Sequence, residues 1–320
     1  MNKFYFNNNK YLEAEAERLG GEPVAFSSQG EFSIGFIRRP IRGTGKADCI
    51  SVYGGPSLDI DRLGIRQATV ALECALTSLD VNSKPVSLFM RGAVGESLVP
   101  LSRLRSRVEK IGDSVIVPIA GDADMVFSGF RKKQRNELRN GEQFFVSQCD
   151  DIEGFHRVYT ESMERARARP EYFFSVDYLR RLMEIPGAYL YSIRDGRDLL
   201  CSAMFVEQYP FLVYHLSGTA TSALRRSPMR SLLAYVAMEH AGGRWQGLSL
   251  GGGVGGANDS LMRFKQGFSK AMLPVYGLKV IVDPESYAEL SSIDLWDEPD
   301  LSGFFPAYRE PASNRRVPNS

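Results

Sequence analysis

Three apolar runs follow one another between residues 187 and 217, with room only for tight turns between them. Residues 188–194, 199–207 and 211–217 have the length and composition of strands. Asp195-Gly196 is a hairpin turn between the first two, and Gln208-Tyr209-Pro210 links the second to the third. This is the pattern of a three-stranded meander. A helix is predicted over 228–241, with Pro228 at an early helical position. A short apolar strand at 247–250 then runs into Gly251-Gly252-Gly253-Val254-Gly255-Gly256. A helix over 259–268 and a strand over 275–282 complete a β-β-β-α-β-α-β order, which is an α+β fold.

The first half is a similar mixture with weaker punctuation. Strands are predicted at 23–26, 32–37, 49–53, 86–90, 115–119 and 144–147. Tyr53-Gly54-Gly55-Pro56 closes the third. Helices are predicted over 61–79, with Leu63, Val70, Cys74 and Leu76 among its apolar positions, and over 122–141, opened by Asp122 and closed by Gly141. Two further helices cover 151–168 and 174–185, with Pro170 between them. The order suggests two α+β units in tandem, although no sequence repeat is visible. The expected divisions are 1–140, 141–290 and a loose tail from 291 to 320, rich in Pro, Ser and Arg towards its end.

Composition narrows the function classes. A chain of 320 residues with 43% hydrophobic and 24% charged residues is globular, and a net charge of +1 gives no global attraction to nucleic acid or membrane. Cys49, Cys74, Cys149 and Cys201 are scattered without CxxC or metal-ligand spacing, so no zinc site and no disulfide framework is expected. No stretch approaches the ~20 apolar residues of a membrane span, and the amino terminus has no signal-peptide core. A cytoplasmic location follows as the expectation.

The order of segments resembles the GNAT acyltransferase superfamily, and in detail its Fem-like (FemAB-like) branch. The residues that carry the resemblance are GRDLLCSAMFVEQYPFLVYHLSGT, RRSPMRSLLAYVAMEHA, LSLGGGVGG and SLMRFKQGFS, with RKKQRNELRNGEQFFV, FHRVYTESMERARA and Tyr53-Gly54-Gly55-Pro56 before them. The resemblance implies tandem GNAT-like domains with mixed sheets flanked by helices. It also implies an N-acyltransferase that moves an acyl group from a thioester of coenzyme A or acyl carrier protein to an amine. An amino-sugar or peptide precursor of the cell envelope is the implied acceptor. Acyl-coenzyme A enters as a co-substrate, with no permanently bound cofactor. Two alternatives stay open: an aminoacyl-tRNA-dependent peptidoglycan bridge transferase, and a non-catalytic protein that binds a nucleotide sugar or a carrier. GNAT enzymes hold the coenzyme A pyrophosphate with a glycine-rich turn at the start of the helix after the third strand. Here that turn reads Arg225-Arg226-Ser227-Pro228-Met229-Arg230, without glycine.

Arg225, Arg226, Ser227 and Arg230 are the candidate donor-binding residues, because a helix amino terminus flanked by cations suits an anion. Lys265, in the FK-x-x-F pattern that the resemblance directs towards the cleft, is the candidate oxyanion partner. His215 is a candidate base and Tyr214 a candidate proton donor; strict alternation sets Val213, His215 and Ser217 opposite Tyr214 and Leu216. Substrate-binding candidates are Arg135 and Arg139, which with Arg131 fall at i, i+4 and i+8 on the expected helix, together with Arg165 and Gly251, Gly252 and Gly253. No Ser-His-Asp order or paired carboxylates appear, so direct attack without a covalent intermediate is expected.

Overall fold

The computed structural model describes residues 5–28, 32–51, 53, 57–58, 65–77, 84–96, 98–293 and 301–310. Gly54-Gly55-Pro56, Leu63 and, of the expected tail, residues 294–300 and 311–320 lie outside these. Along the chain come α1 (Asn9–Leu19), β1 (Glu22–Ser28), β2 (Phe32–Pro40), β3 (Ala47–Ile50), β4 (Ser57–Leu58), α2 (Ile65–Thr77), β5 (Ser87–Arg91) and β6 (Arg105–Pro118). Then follow α3 (Ala123–Gly129), α4 (Lys132–Asn140), β7 (Val146–Cys149), α5 (Ile152–Arg165), α6 (Val176–Met183), β8 (Ala188–Asp195), β9 (Asp198–Gln208) and β10 (Phe211–Thr219). The last elements are α7 (Pro228–Glu239), β11 (Gly247–Gly251), α8 (Ser260–Lys265), β12 (Met272–Ile281) and α9 (Pro284–Ser291). Among the described residues no helix is long and apolar enough to cross a membrane.

Contacts divide the chain into two compact units. One holds Met1–Ala14 with Gly112–Pro274, and the other holds Glu15–Ile111 with Val275–Ser320. In the first, β8, β9 and β10 form an antiparallel meander, β7 extends it beside β8, and α7 carries the chain across to β11, parallel to β10. Residues 115–118 of β6 then close on β11 antiparallel. In the second, β1, β2 and β3 form the meander, α2 is the crossover, β5 lies parallel to β3, and β12 closes antiparallel on β5.

Each unit is therefore the same β-β-β-α-β motif, closed by a strand that begins or ends in the other. This explains why the division is interleaved in sequence rather than serial. The loops after the two crossover strands match as well: Gly92-Ala93-Val94-Gly95 follows β5 and Gly252-Gly253-Val254-Gly255 follows β11. A repeat that the sequence alone did not disclose becomes visible once the strands are aligned.

The first unit's core joins Phe205, Leu212, Leu232, Leu233, Val236, Leu248 and Leu250, all buried. The second unit's core joins Phe36, Leu72, Leu76, Leu88, Leu278 and Val280. Apolar strands buried on both faces explain why residues 199–206 read as a continuous run rather than an alternation. The single helix expected over 122–141 is two, and Phe130 is the cause. Its backbone is extended, its ring is buried edge-on against Phe127 and Phe268, and the following Arg131 N–H donates to the Gly267 carbonyl at 2.9 Å. The expected loose tail is packed over residues 301–310. There Phe305 stacks on Tyr287, Arg309 pairs with the buried Asp48, and the Lys279 ammonium donates to the carbonyls of Leu301 and Gly303.

Helix α5 lies against β10 at Gly218. A Cβ there would meet the Val158 carbonyl and the Tyr159 nitrogen at 2.3 Å, so only glycine allows this approach. Gly218→Ala is expected to lower stability by about 1–3 kcal/mol through overpacking, read as a lower urea midpoint.

Candidate functional site

Strands β10 and β11 pair over only three positions, Phe211–Gly247, Leu212–Leu248 and Val213–Ser249. β10 runs on to Thr219 and β11 to Gly251, so the two part beyond Val213. Parallel strands that separate leave a cleft at their carboxyl ends, a common place for ligands in α/β architecture. Tyr214 from β10, Gly251 and Gly252 from β11 and its loop, and Lys265 from α8 come together where the strands part.

Lys265 is buried, at 7% exposure. Asp259 caps α8 through the Met262 N–H, which fixes the short helix that carries it. Its ammonium donates to the Gly252 carbonyl at 2.7 Å and sits 5.8 Å from the centre of the Tyr214 ring. Burial lowers its pKa to about 8, with Asp259 opposing the shift. The Tyr214 hydroxyl donates to Ser217 Oγ, and burial raises its pKa to about 12, so the phenol stays protonated.

A bulge explains the Tyr214–Ser217 contact. The pairing of β10 with β9 steps from Tyr214–Phe205 to Leu216–Met204, leaving His215 without a cross-strand partner position. The alternation expected from sequence therefore breaks at His215, and Tyr214 and Ser217 share a face. The His215 ring packs edge-on against Phe6 at 5.2 Å, and burial lowers its pKa to about 4. An imidazole of that basicity is poorly matched to proton abstraction at neutral pH.

A second feature surrounds the start of α7. A cavity of about 830 Å³ is lined by Lys132, Lys133, Asn136 and Asn140 from α4, and by Arg225, Arg226, Ser227 and Arg230. Ser227 adopts left-handed backbone angles and Pro228 is the first helical residue, so the turn into α7 is fixed without glycine. Two of the three arginines at this turn have carboxylate partners within the protein. Arg226 pairs with Glu142 and with Asp195, and Arg230 pairs with Glu137 at 3.0 Å. Hydrogen bonds from Arg226 hold the Glu142 carboxyl below its usual range. Arg225, Lys132 and Lys133 remain exposed at the rim. The two lysines were not anticipated; their signal was the basic start of α4, hidden by treating 122–141 as one helix.

Other sequence candidates have different work. The Arg135 guanidinium donates to the carbonyls of Ser128 and Phe130, closing the end of α3. Arg139 lies over the Phe127 ring at 5.1 Å. Neither lines the cavity. Arg165 ties α5 to the end of β10 through Thr221 Oγ1 and the Thr219 carbonyl. Gly253 is glycine because a Cβ would fall 2.0 Å from the Ala257 carbonyl, a demand of the loop itself. Among the described residues no cluster of His, Cys, Asp and Glu is suited to a metal.

No family model matches the sequence, and no curated protein sequence matches it. The structure is similar to that of FemX, with a TM-score of 0.67 at 12% identity, over 89% of this chain and 94% of that one. It is similar to the C-terminal domain of a putative lysylphosphatidylglycerol synthetase from Agrobacterium fabrum, with a TM-score of 0.53 at 14% identity, over 87% and 91%. L-PGS from Bacillus licheniformis gives 0.50 at 16% identity, over 85% and 91%. The α+β fold expected from the sequence is the fold observed, and it is shared with FemX.

The depressed Lys265 pKa has a thermodynamic consequence. In the unfolded chain a lysine titrates near ~10.4. Between about pH 8 and that value the unfolded state holds one more proton than the folded state, so this group makes stability rise with pH across the window. Lys265→Met is expected to remove a rise of about 2–3 kcal/mol between pH 7.5 and 10. Urea midpoints of the two proteins at both pH values check this.

Proposed function

We propose that this protein is an acyltransferase that moves an acyl group from an activated donor to an amine by direct attack. The observation that carries the reading is the buried Lys265 ammonium beside Tyr214, at the point where β10 and β11 part. A desolvated cation aimed into a cleft stabilises charge that develops on a carbonyl oxygen far better than a solvated one.

The neutral amine nitrogen attacks the donor carbonyl carbon, and the resulting oxyanion accepts an N–H from Lys265. Collapse breaks the bond between the carbonyl carbon and the leaving sulfur or oxygen. The Tyr214 phenol, still protonated at neutral pH, supplies the proton that the departing group takes up; the nitrogen loses its extra proton to solvent, and the phenolate takes one back from solvent. The basic cavity at the start of α7 receives the anionic part of the donor. Arg225 and Lys132 are exposed to meet it at the rim, and Lys133, Arg226 and Arg230 can exchange carboxylate partners for phosphate.

A thioester of coenzyme A or acyl carrier protein is the donor in this reading, and an amino-sugar or peptide precursor is the acceptor, met in the cytoplasm. A second reading replaces the thioester with an aminoacyl ester such as aminoacyl-tRNA. It is favoured by the likeness to a lysylphosphatidylglycerol synthetase, whose name denotes an aminoacyl product, and by the exposed lysines at a wide cavity.

Lys265→Met is expected to lower kcat by about 100-fold or more with donor KM changed only a few-fold. Wild-type turnover in that variant would remove Lys265 from the reaction. Arg225→Ala combined with Lys133→Ala is expected to raise donor KM by roughly 10-fold while kcat is retained. Running both variants with acyl-coenzyme A and with aminoacyl-tRNA identifies the donor, and an unchanged KM with every active donor rejects the cavity as its site.

A further inference from the structure

The segment between α5 and α6 presents exposed side chains that neither the core nor the proposed reaction uses. Arg167, Arg169, Tyr172 and Phe173 are all exposed, the two rings at 42% and 41%. The backbone beneath them is well tied. The Tyr159 hydroxyl donates to the Tyr172 carbonyl at 2.8 Å, and the Phe174 ring stacks on Tyr159. Phe174 is thereby drawn inward while Phe173, its neighbour, stays in solvent.

Helix α5 ends in a Schellman arrangement. The Arg167 N–H donates to the Glu164 carbonyl and the Ala168 N–H to that of Met163, with Arg167 at φ +50°. Glycine is favoured at such a position. An arginine there is held in a strained backbone state, which points to a use for its side chain. Arg165 bridges this segment to the turn after β10 through Thr221 Oγ1, and that turn exposes Leu224 and Arg225.

We propose that this surface docks the protein on an anionic lipid bilayer. Tyr172, Phe173 and Leu224 enter the interfacial region, and Arg167 and Arg169 meet the headgroup phosphates. Amphipathic rings and arginines together are the composition of interfacial anchors. The charge is complementary to such a surface: Glu171 is already matched by Arg169 at 3.3 Å, and Arg167 makes no ion pair among the described residues. A single-stranded nucleic acid fits less well. The Arg169 guanidinium lies over the Tyr172 ring at 6.0 Å, on the face a base would stack against, and the aliphatic Leu224 offers a base nothing. The docking is independent of the identity of the acyl donor.

The test is co-sedimentation of the full chain with vesicles of phosphatidylglycerol and phosphatidylcholine, and with phosphatidylcholine alone. The wild type is expected to bind the mixed vesicles at least ~10-fold more tightly. Tyr172→Ser with Phe173→Ser is expected to lose about 10-fold. Arg167→Gly is expected to bind about 5-fold more weakly without a lower Tm, since the strained position is relieved. Phe173→Trp, which keeps an aromatic ring, is expected to shift its fluorescence to the blue on mixed vesicles only. Absence of vesicle binding, undiminished binding by the double variant, or an unshifted Phe173→Trp emission overturns the proposal. So does a result in which these variants lose tRNA binding while vesicle binding is kept.

Discussion

The pairing of β10 with β11 stops after three residue pairs, and the candidate chemistry of the first unit depends on that stop. While two parallel strands stay paired, their backbone groups satisfy one another and nothing can enter. Once they part, the carbonyls of the Gly251–Gly252 turn need another partner. Lys265 provides one for Gly252, and its ammonium is thereby fixed in a place where burial makes the charge costly. The bulge at His215 turns the same strand so that Tyr214 faces Phe205 and Lys265 while His215 meets Phe6. One irregularity in one strand thus separates a usable phenol from an imidazole held neutral in an aromatic cluster.

Electrostatics at the start of α7 follow a different logic. Three arginines beside a helix amino terminus would repel its partial positive charge. Glu137, Glu142 and Asp195 compensate from elements distant in sequence. These pairs are substantially exposed and so contribute little stability. Their effect is to keep the guanidinium groups oriented around the cavity, in readily exchangeable contacts, while Arg225 and the α4 lysines stay in solvent.

Much of the architecture was legible because strand runs and punctuation coincide. Asp195-Gly196, Tyr209-Pro210 and Pro228 each mark a real boundary, and Lys265 and the residues from Arg225 to Arg230 were all singled out by type and position. The misreadings have identifiable causes. Residues 122–141 have helical spacing, but Phe130 is pulled into the core and breaks the helix, so Arg135 donates to carbonyls at the end of α3. Residues 301–310 carry loop composition, yet they supply further partners to the buried Asp48 and Lys279, beside Arg39 and Glu109. The repeat of Gly92 to Gly95 in Gly252 to Gly255 is too short to stand out until pairing registers align the strands.

By itself the sequence determined the kinds and order of elements, because periodicity, turn residues and caps act over a few neighbours. It also determined which side chains had the chemistry for a candidate site. Tertiary structure alone decided which of them meet. Strand register, the bulge at His215 and the break at Phe130 are settled by packing among residues far apart in the chain. Local sequence patterns carry no record of those contacts.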